Sequence, residues 1–140
     1  MLKRILVGLT ILLFSVSSLA TFNIGFRLVI SGSVLPSLVM RYEHSSGHGL
    51  ELTTGVIPNT NFGFILRGEI GYIYRYKNLL VGIGRGITRH GVKGLPIFDD
   101  HIKIGYTKPL SGASLDLGGT LSLGTTGQGL ALWGGINKQY

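Results

Sequence analysis

The stretch RYEHSSGHG, residues 41–49, holds three side chains that could catalyse acyl transfer. In that chemistry a histidine takes the proton of a serine hydroxyl that attacks the ester, and a carboxylate orients the histidine. Glu43, His44 and Ser46 supply those three residue types. A stretch rich in serine and glycine is also typical of a hairpin turn. The segment therefore predicts either a hydrolytic centre or a turn between two strands.

A second polar group flanks the longest stretch in which no alternation is visible. It contains four side chains that can bind metals: His90, Asp99, Asp100 and His101. Such ligands suit a divalent cation, but a solvated loop with ordinary polar residues is the simpler interpretation. The glycines of GIGRG (82–86) do not complete the G-x-G-x-x-G phosphate-binding pattern, because Ile87 occupies the last glycine position. We therefore expect neither a metal nor a cofactor.

The N-terminus has the pattern of a secretory signal peptide. Lys3 and Arg4 precede an apolar run of ten residues, Ile5 to Phe14, and the tripeptide Ser18-Leu19-Ala20 is typical of a cleavage site. A membrane anchor helix is the alternative, but spanning the hydrocarbon core takes roughly 20 apolar residues. We predict export and removal of residues 1–20.

The composition of residues 21–140 fits a single exported domain. Without Lys3 and Arg4 the chain holds 11 basic and 6 acidic residues, a net charge of +5. These charges are scattered singly, whereas nucleic-acid binding requires a basic cluster. The absence of cysteine excludes disulfides and a lipoprotein anchor at a cysteine.

Apolar and polar residues alternate along most of this domain, which predicts β-strands rather than helices. In FGFILRGEIGYIYRYK, residues 62–77, one face is apolar and the other carries glycine and charges. Turn residues separate the alternating segments. Eight strand-like segments result: 21–30, 34–44, 49–57, 62–76, 79–90, 100–108, 113–123 and 129–140.

Two all-β folds could use such strands: a soluble barrel or sandwich with an apolar core, or a transmembrane barrel with an apolar outside. The segments have the length of tilted membrane-spanning strands, roughly 9 to 11 residues or more. Their number is even, and eight is the smallest usual barrel. Small polar residues suit a narrow lumen, and tyrosines gather near one end of residues 62–76, as in an interfacial girdle. We therefore predict an eight-stranded antiparallel up-and-down transmembrane β-barrel.

The polar face of these strands carries charges of both signs that would point into the lumen. The predicted lumen charges are Arg27, Arg41, Glu43, Glu51, Arg67, Glu69, Arg75, Lys103 and Asp116. A charge in so narrow a space is tolerable only when it is paired. We expect an ion-pair network that plugs the barrel, and a selective pore is the alternative.

At this level of pattern the chain resembles the small eight-stranded bacterial outer-membrane barrels, across all of residues 21–140. These barrels usually end in an aromatic residue after an alternating strand, and this chain ends LALWGGINKQY with Tyr140 last. The resemblance implies location in the bacterial outer membrane, with both termini on the periplasmic side. It further implies contact with outer-membrane lipids and lipopolysaccharide, insertion by the barrel assembly machinery, a monomeric state and no nucleic-acid partner. Locally, His44-x-Ser46 is similar to the His-x-Ser pair of lipid A deacylase barrels.

Two residues do not fit the alternation cleanly. Arg85 falls on the apolar face, where a charge at mid-bilayer costs roughly 2–4 kcal/mol. Either it lies near an interface and extends to water, or a β-bulge shifts the phase of its strand. The facing of Trp133 is open in the same way.

The sequence thus predicts a non-enzymatic outer-membrane barrel with a structural, adhesive or protective role, exerted through its outer loops and above all residues 91–99. One alternative is an outer-membrane lipid A acyl hydrolase that uses His44, Ser46 and Glu43. Another is a secreted soluble barrel that holds an apolar ligand. This last alternative requires the leucine face of residues 113–123 to point inward.

Overall fold

The computed structural model of the chain is a closed barrel of eight antiparallel strands in which each strand pairs with its sequence neighbours and β8 pairs with β1. The strands are β1 Ala20–Ser31, β2 Ser33–His44, β3 His48–Asn59, β4 Gly63–Tyr76, β5 Leu79–His90, β6 Ile97–Leu110, β7 Ala113–Gly124 and β8 Gly127–Gln139. This topology confirms the predicted all-β, eight-stranded up-and-down barrel.

The structure describes residues 20–59, 61, 63–124 and 127–140. The predicted signal peptide lies outside the described residues except for Ala20, which begins β1. Phe62 also lies outside them. The described part of the chain contains no helix of the length and hydrophobicity needed to cross a membrane.

The connections between strands are short, and one differs from the prediction. Gly32 alone joins β1 to β2 and adopts a positive φ of 72°, which favours glycine in so tight a turn. The expected loop 91–99 is reduced to residues 91–96, because β6 begins at Ile97. Ile97 and Phe98 pair with the end of β5, and this pairing extends the strand beyond the alternation seen in the sequence.

The two ends of the barrel differ in composition. We call the end at which β1 begins and β8 finishes the terminal end, and the end at which β1, β3, β5 and β7 finish the loop end. The tyrosines all lie toward the terminal end: Tyr42, Tyr72, Tyr74, Tyr76, Tyr106 and Tyr140. One belt of phenol rings therefore surrounds that end, as a membrane interface would favour.

The strand alternation puts apolar side chains outside and polar ones inside. Among the described residues 33 large hydrophobic side chains are exposed, whereas the buried set comprises 5 hydrophobic and 13 polar or charged residues. The leucine face of β7 follows this rule, since Leu117, Leu121 and Leu123 are 54%, 42% and 46% exposed. The alternative of a soluble barrel with an inward leucine face is therefore wrong, because the alternation along β7 places its leucines on the outside.

Candidate functional site: the charged lumen

Glu51 on β3 lies at the centre of the lumen and contacts three cations. Its Oε1 accepts hydrogen bonds from Arg27 Nη1 at 2.8 Å and from Lys103 Nζ at 2.7 Å. Its Oε2 accepts from Arg41 Nη2 at 2.6 Å, and Arg41 is the residue directly opposite on β2. All four side chains are at most 4% exposed. One carboxylate therefore joins β1, β2, β3 and β6 inside the barrel.

Arg41 extends this network across the lumen to β7. Its Nη2 donates to Oδ2 of Asp116 on β7 at 2.7 Å, and both side chains are fully buried. The Asn137 side-chain amide donates to the same carboxylate oxygen at 2.7 Å. Because β1 and β8 lie between β2 and β7, this pair crosses part of the lumen instead of joining neighbouring strands.

A second group of charges lies nearer the loop end. The Arg67 guanidinium binds both carboxylate oxygens of Asp99 at 3.1 and 3.0 Å and donates to Glu69 at 2.9 Å. Lys103 Nζ lies 3.4 Å from Glu69 Oε2 and connects this group to Glu51. Sequence reasoning missed Asp99 as a lumen residue because it was assigned to a loop. Its spacing from Lys103 along β6 was the available signal.

A third pair closes the series at the terminal end, where Arg75 Nη2 donates to Glu43 Oε2 at 2.7 Å. Each of the nine predicted lumen residues thus faces inward and takes part in at least one ion pair with another lumen residue. With Asp99 the lumen holds five cations and five anions, so its side chains are neutral as a set.

Trp133 is the largest inward side chain whose facing the sequence left open. It is 4% exposed, and its indole N–H donates to Thr120 Oγ1 at 3.0 Å. The Arg27 guanidinium carbon lies 4.2 Å from the centre of its ring, within the range of a cation–π contact. The even spacing from Asn137, another inward residue of β8, would have revealed this facing.

The ion pairs and Trp133 divide the lumen into two cavities. One, of about 390 Å³, opens toward the loop end above Trp133 and Lys103. The other, of about 620 Å³, opens toward the terminal end around Glu43 and Arg75. The central charges Arg41, Glu51 and Asp116 line neither cavity. They form the layer between them.

The possible catalytic residues meet only in part. His44 Nδ1 lies 2.8 Å from Ser46 Oγ in the exposed turn between β2 and β3, and the Ser46 backbone N–H donates to the same nitrogen at 3.2 Å. Glu43 does not join them, because adjacent strand residues point to opposite faces. Its carboxylate binds Arg75 inside the barrel. The structure thus shows a His–Ser contact without an acid behind the histidine.

The possible metal ligands near residues 90–101 are separated by the same alternation. Asp99 points into the lumen and binds Arg67, while Asp100 points outward. The expected solvated loop is wrong for Asp99, which belongs to β6, whereas Asp100 and His101 lie in that strand as predicted. In the part of the chain that the structure describes, no group of three or more His, Cys, Asp or Glu residues could hold a metal ion.

Arg85 lies on the outer wall, as strict alternation requires. The pairing of β5 with β4 and with β6 continues through it without interruption, so a bulge at this position is wrong. Its guanidinium instead binds Asp100, which is also on the outer wall, with Nε 2.8 Å from Oδ1. The sequence contained both residues, but not the register that makes them direct neighbours.

Comparisons with known proteins identify the fold. The N-terminal β-barrel domain of OprF from Pseudomonas aeruginosa superimposes with a TM-score of 0.72 at 13% identity, covering 86% of this chain and 97% of that one. Neisserial surface protein A (NspA) gives a TM-score of 0.56 at 10% identity, with 86% and 96% covered. No protein-family model and no curated protein sequence matches the chain. The chain thus has the fold of the small eight-stranded outer-membrane barrels.

Proposed function

We propose that this protein is a bacterial outer-membrane barrel with a closed lumen and no enzymatic activity. The observation that carries the proposal is the inverted distribution of side chains: an outer wall of large apolar residues around a charged interior. Soluble monomers rarely expose contiguous apolar patches above a few hundred Å². A wall that is apolar on all sides is stable in lipid, where a closed barrel leaves no unpaired strand edge.

The ion pairs support a closed lumen over a pore. Eight strands enclose a space that side chains can fill. The layer formed by Arg41, Glu51 and Asp116 is at most 2% exposed, and each of its charges forms an ion pair within the layer or with Arg27 and Lys103. An ion that entered this layer would have to displace these contacts. The proposed barrel therefore acts as a wall element and not as a channel.

A role at the cell surface would depend on the loop end. In the proposed orientation both termini face the periplasm, and residues 91–96 face outward. Val92 and Leu95 are 73% and 85% exposed there, and Lys93 lies between them. An apolar and cationic tip suits adhesion to, or protection of, a surface rich in lipopolysaccharide. Export through residues 1–20 and insertion by the barrel assembly machinery complete the proposal.

Fractionation and gel mobility test the location. The full chain is expressed in a bacterium with two membranes, and the outer-membrane fraction is run unboiled and boiled on a detergent gel. A band in that fraction that migrates differently after boiling is expected, since a closed barrel resists detergent until it is heated. A protein free in the periplasm without a mobility shift would contradict the proposal.

Conductance tests the closed lumen separately. The purified protein is inserted into planar lipid bilayers, and no stable ion current is expected. An open porin inserted into the same bilayers serves as the control for insertion. A reproducible ohmic current from this protein would refute the closed lumen and favour the pore.

The contact between His44 and Ser46 supports a second candidate, an outer-membrane acyl ester hydrolase. The 2.8 Å separation would let the histidine take the serine proton. Replacing Ser46 by Ala tests this directly, with lipid A acylation and phospholipid hydrolysis compared in cells with the wild-type protein, the variant or neither. Unchanged lipids in all three strains would exclude the hydrolase.

A further inference from the structure

Arg85 and Asp100 form an ion pair on the outer wall of the barrel, surrounded by apolar side chains. The two residues are direct neighbours across β5 and β6, with Nε–Oδ1 2.8 Å and Nη2–Oδ2 3.4 Å. Their side chains are 66% and 65% exposed, so the barrel itself does not cover them. Ile83 and Ile102, the next outward residues toward the terminal end, are 62% and 47% exposed.

The pair lies inside the apolar belt of the wall and nearer its loop end, since Asp100 is three residues from Ile97, where β6 begins. Arg85 is six residues from Leu79, where β5 begins, and Asp100 is six residues from Tyr106 in the tyrosine belt. With a rise of about 3.3 Å per residue and a tilt of about 40°, six residues correspond to about 15 Å along the barrel axis. An apolar band of about 25 Å would therefore place both charges in hydrocarbon, on the proposed membrane location.

Hydrocarbon leaves much of this pair unsatisfied. A guanidinium has five N–H donors, of which the contact with Asp100 uses two, and the carboxylate keeps free lone pairs. Lipid tails can satisfy neither group. A lipid phosphate is a poor match as well, because the patch is neutral and would set the Asp100 carboxylate beside a second anion.

The same patch on a second copy is a good match. When two copies face each other across a two-fold axis along the membrane normal, the left side of one patch meets the right side of the other. Arg85 of one copy then faces Asp100 of the other, and the reciprocal contact forms at the same time. We propose that this protein forms a homodimer in the membrane through the outer face of β5 and β6, held by reciprocal Arg85–Asp100 pairs. This dimer replaces the monomer expected from the sequence, and it rests on the proposed membrane location.

The surroundings of the pair provide packing for such an interface. A shallow groove that includes the pair is lined by exposed apolar residues of five strands, β3 to β7: Leu50, Ile70, Ile83, Ile102 and Leu123. Side chains of a second copy could fill this groove and shield the charges from lipid. The interface would then have an ionic centre and an apolar rim.

Cysteine cross-linking tests the dimer, because the chain contains no cysteine of its own. Ile83→Cys places a thiol beside the patch, and Ile136→Cys places an equally outward thiol, 58% exposed, on β8 as the matched control. Outer membranes are treated with a short thiol-specific cross-linker. A band of twice the chain mass is expected for Ile83→Cys and not for Ile136→Cys. Equal yields, or monomer alone in a heat-shifting, membrane-inserted protein, would overturn the dimer while leaving the proposed function intact.

Charge exchange in the Ile83→Cys chain tests the reciprocal pairing. Arg85→Asp and Asp100→Arg each give a patch of like charges, and each alone is expected to reduce cross-linking about tenfold or more. Co-expression of the two variants pairs an acidic patch with a basic one and should restore the cross-linked band. A cross-linking yield that is the same in all these variants would refute the ionic contact. A chain absent from the outer membrane would refute the location and, with it, the dimer.

Discussion

Replacing Glu51 by Gln removes the central charge of the lumen while keeping the size of the side chain. The change leaves Arg27, Arg41 and Lys103 without their shared carboxylate in a site where all of them are at most 4% exposed. Removing one partner of a buried ion pair typically costs about 3–5 kcal/mol, because the other charge stays buried and uncompensated. We expect a loss of at least 3 kcal/mol in the free energy of unfolding.

Glu43→Gln is the matched control, since it makes the same chemical change at the edge of the lumen. Glu43 has one cationic partner, Arg75, whose side chain is 23% exposed and can turn toward water. We expect this variant to lose about 1–2 kcal/mol. The difference between the two variants measures the effect of burial and of multiple partners.

Urea unfolding in lipid vesicles provides the measurement. Trp133 is the only tryptophan of the chain and lies beside Arg27, so its fluorescence reports on the folded lumen. Adding Lys103→Met to Glu51→Gln removes one of the three cations around residue 51 and should recover part of the lost stability. Equal unfolding free energies for Glu51→Gln and Glu43→Gln, or no recovery in the double variant, would refute the argument that excess buried positive charge causes the loss.

Three further predictions concern packing and the loop end. Gly118→Ala places a Cβ against the ring of Trp133 and should cost about 1–3 kcal/mol by urea unfolding, whereas Gly119→Ala, whose nearest atom would be 3.6 Å away, should be neutral. Equal effects of the two would contradict this account. Trp133→Phe removes the indole hydrogen bond and should lower the free energy of unfolding by about 1–2 kcal/mol, with unfolding monitored by circular dichroism. Arg89 donates to the carbonyl oxygens of residues 92 and 94, so Arg89→Ala should speed trypsin cleavage after Lys93 on intact cells, and unchanged cleavage would refute this role.

The strands and the lumen charges followed from alternation alone. In an antiparallel barrel the facing of a residue depends only on its parity along the strand, so Arg41 and Glu51 could be placed inside before any partner was known. The alternation does not reveal the register of the strands. The contacts of Glu51 with Arg41 beside it and with Lys103 across the lumen depend on how far each strand is shifted against the next.

The errors arose where parity was not applied. Residues 97–99 were assigned to a loop, so Asp99 was missed in the lumen and the outer loop was expected to be longer. The Glu43–His44–Ser46 group was considered as a unit because the residues are close in sequence. Consecutive residues of a strand point to opposite faces. Glu43 therefore points into the lumen and binds Arg75, whereas His44 contacts Ser46 outside it.

The pairing of charges also explains where the net charge of the barrel lies. All six acidic residues of the chain take part in ion pairs, five in the lumen and Asp100 on the wall. The remaining cations of the described residues lie exposed at the two ends: Lys77, Arg89, Lys93, Lys108 and Lys138. The net charge of +5 is therefore a property of the rims, where lipid phosphates would lie, and not of the lumen. The basic composition is therefore no evidence for an anion-selective pore, because the excess positive charge lies at the rims and not in the lumen.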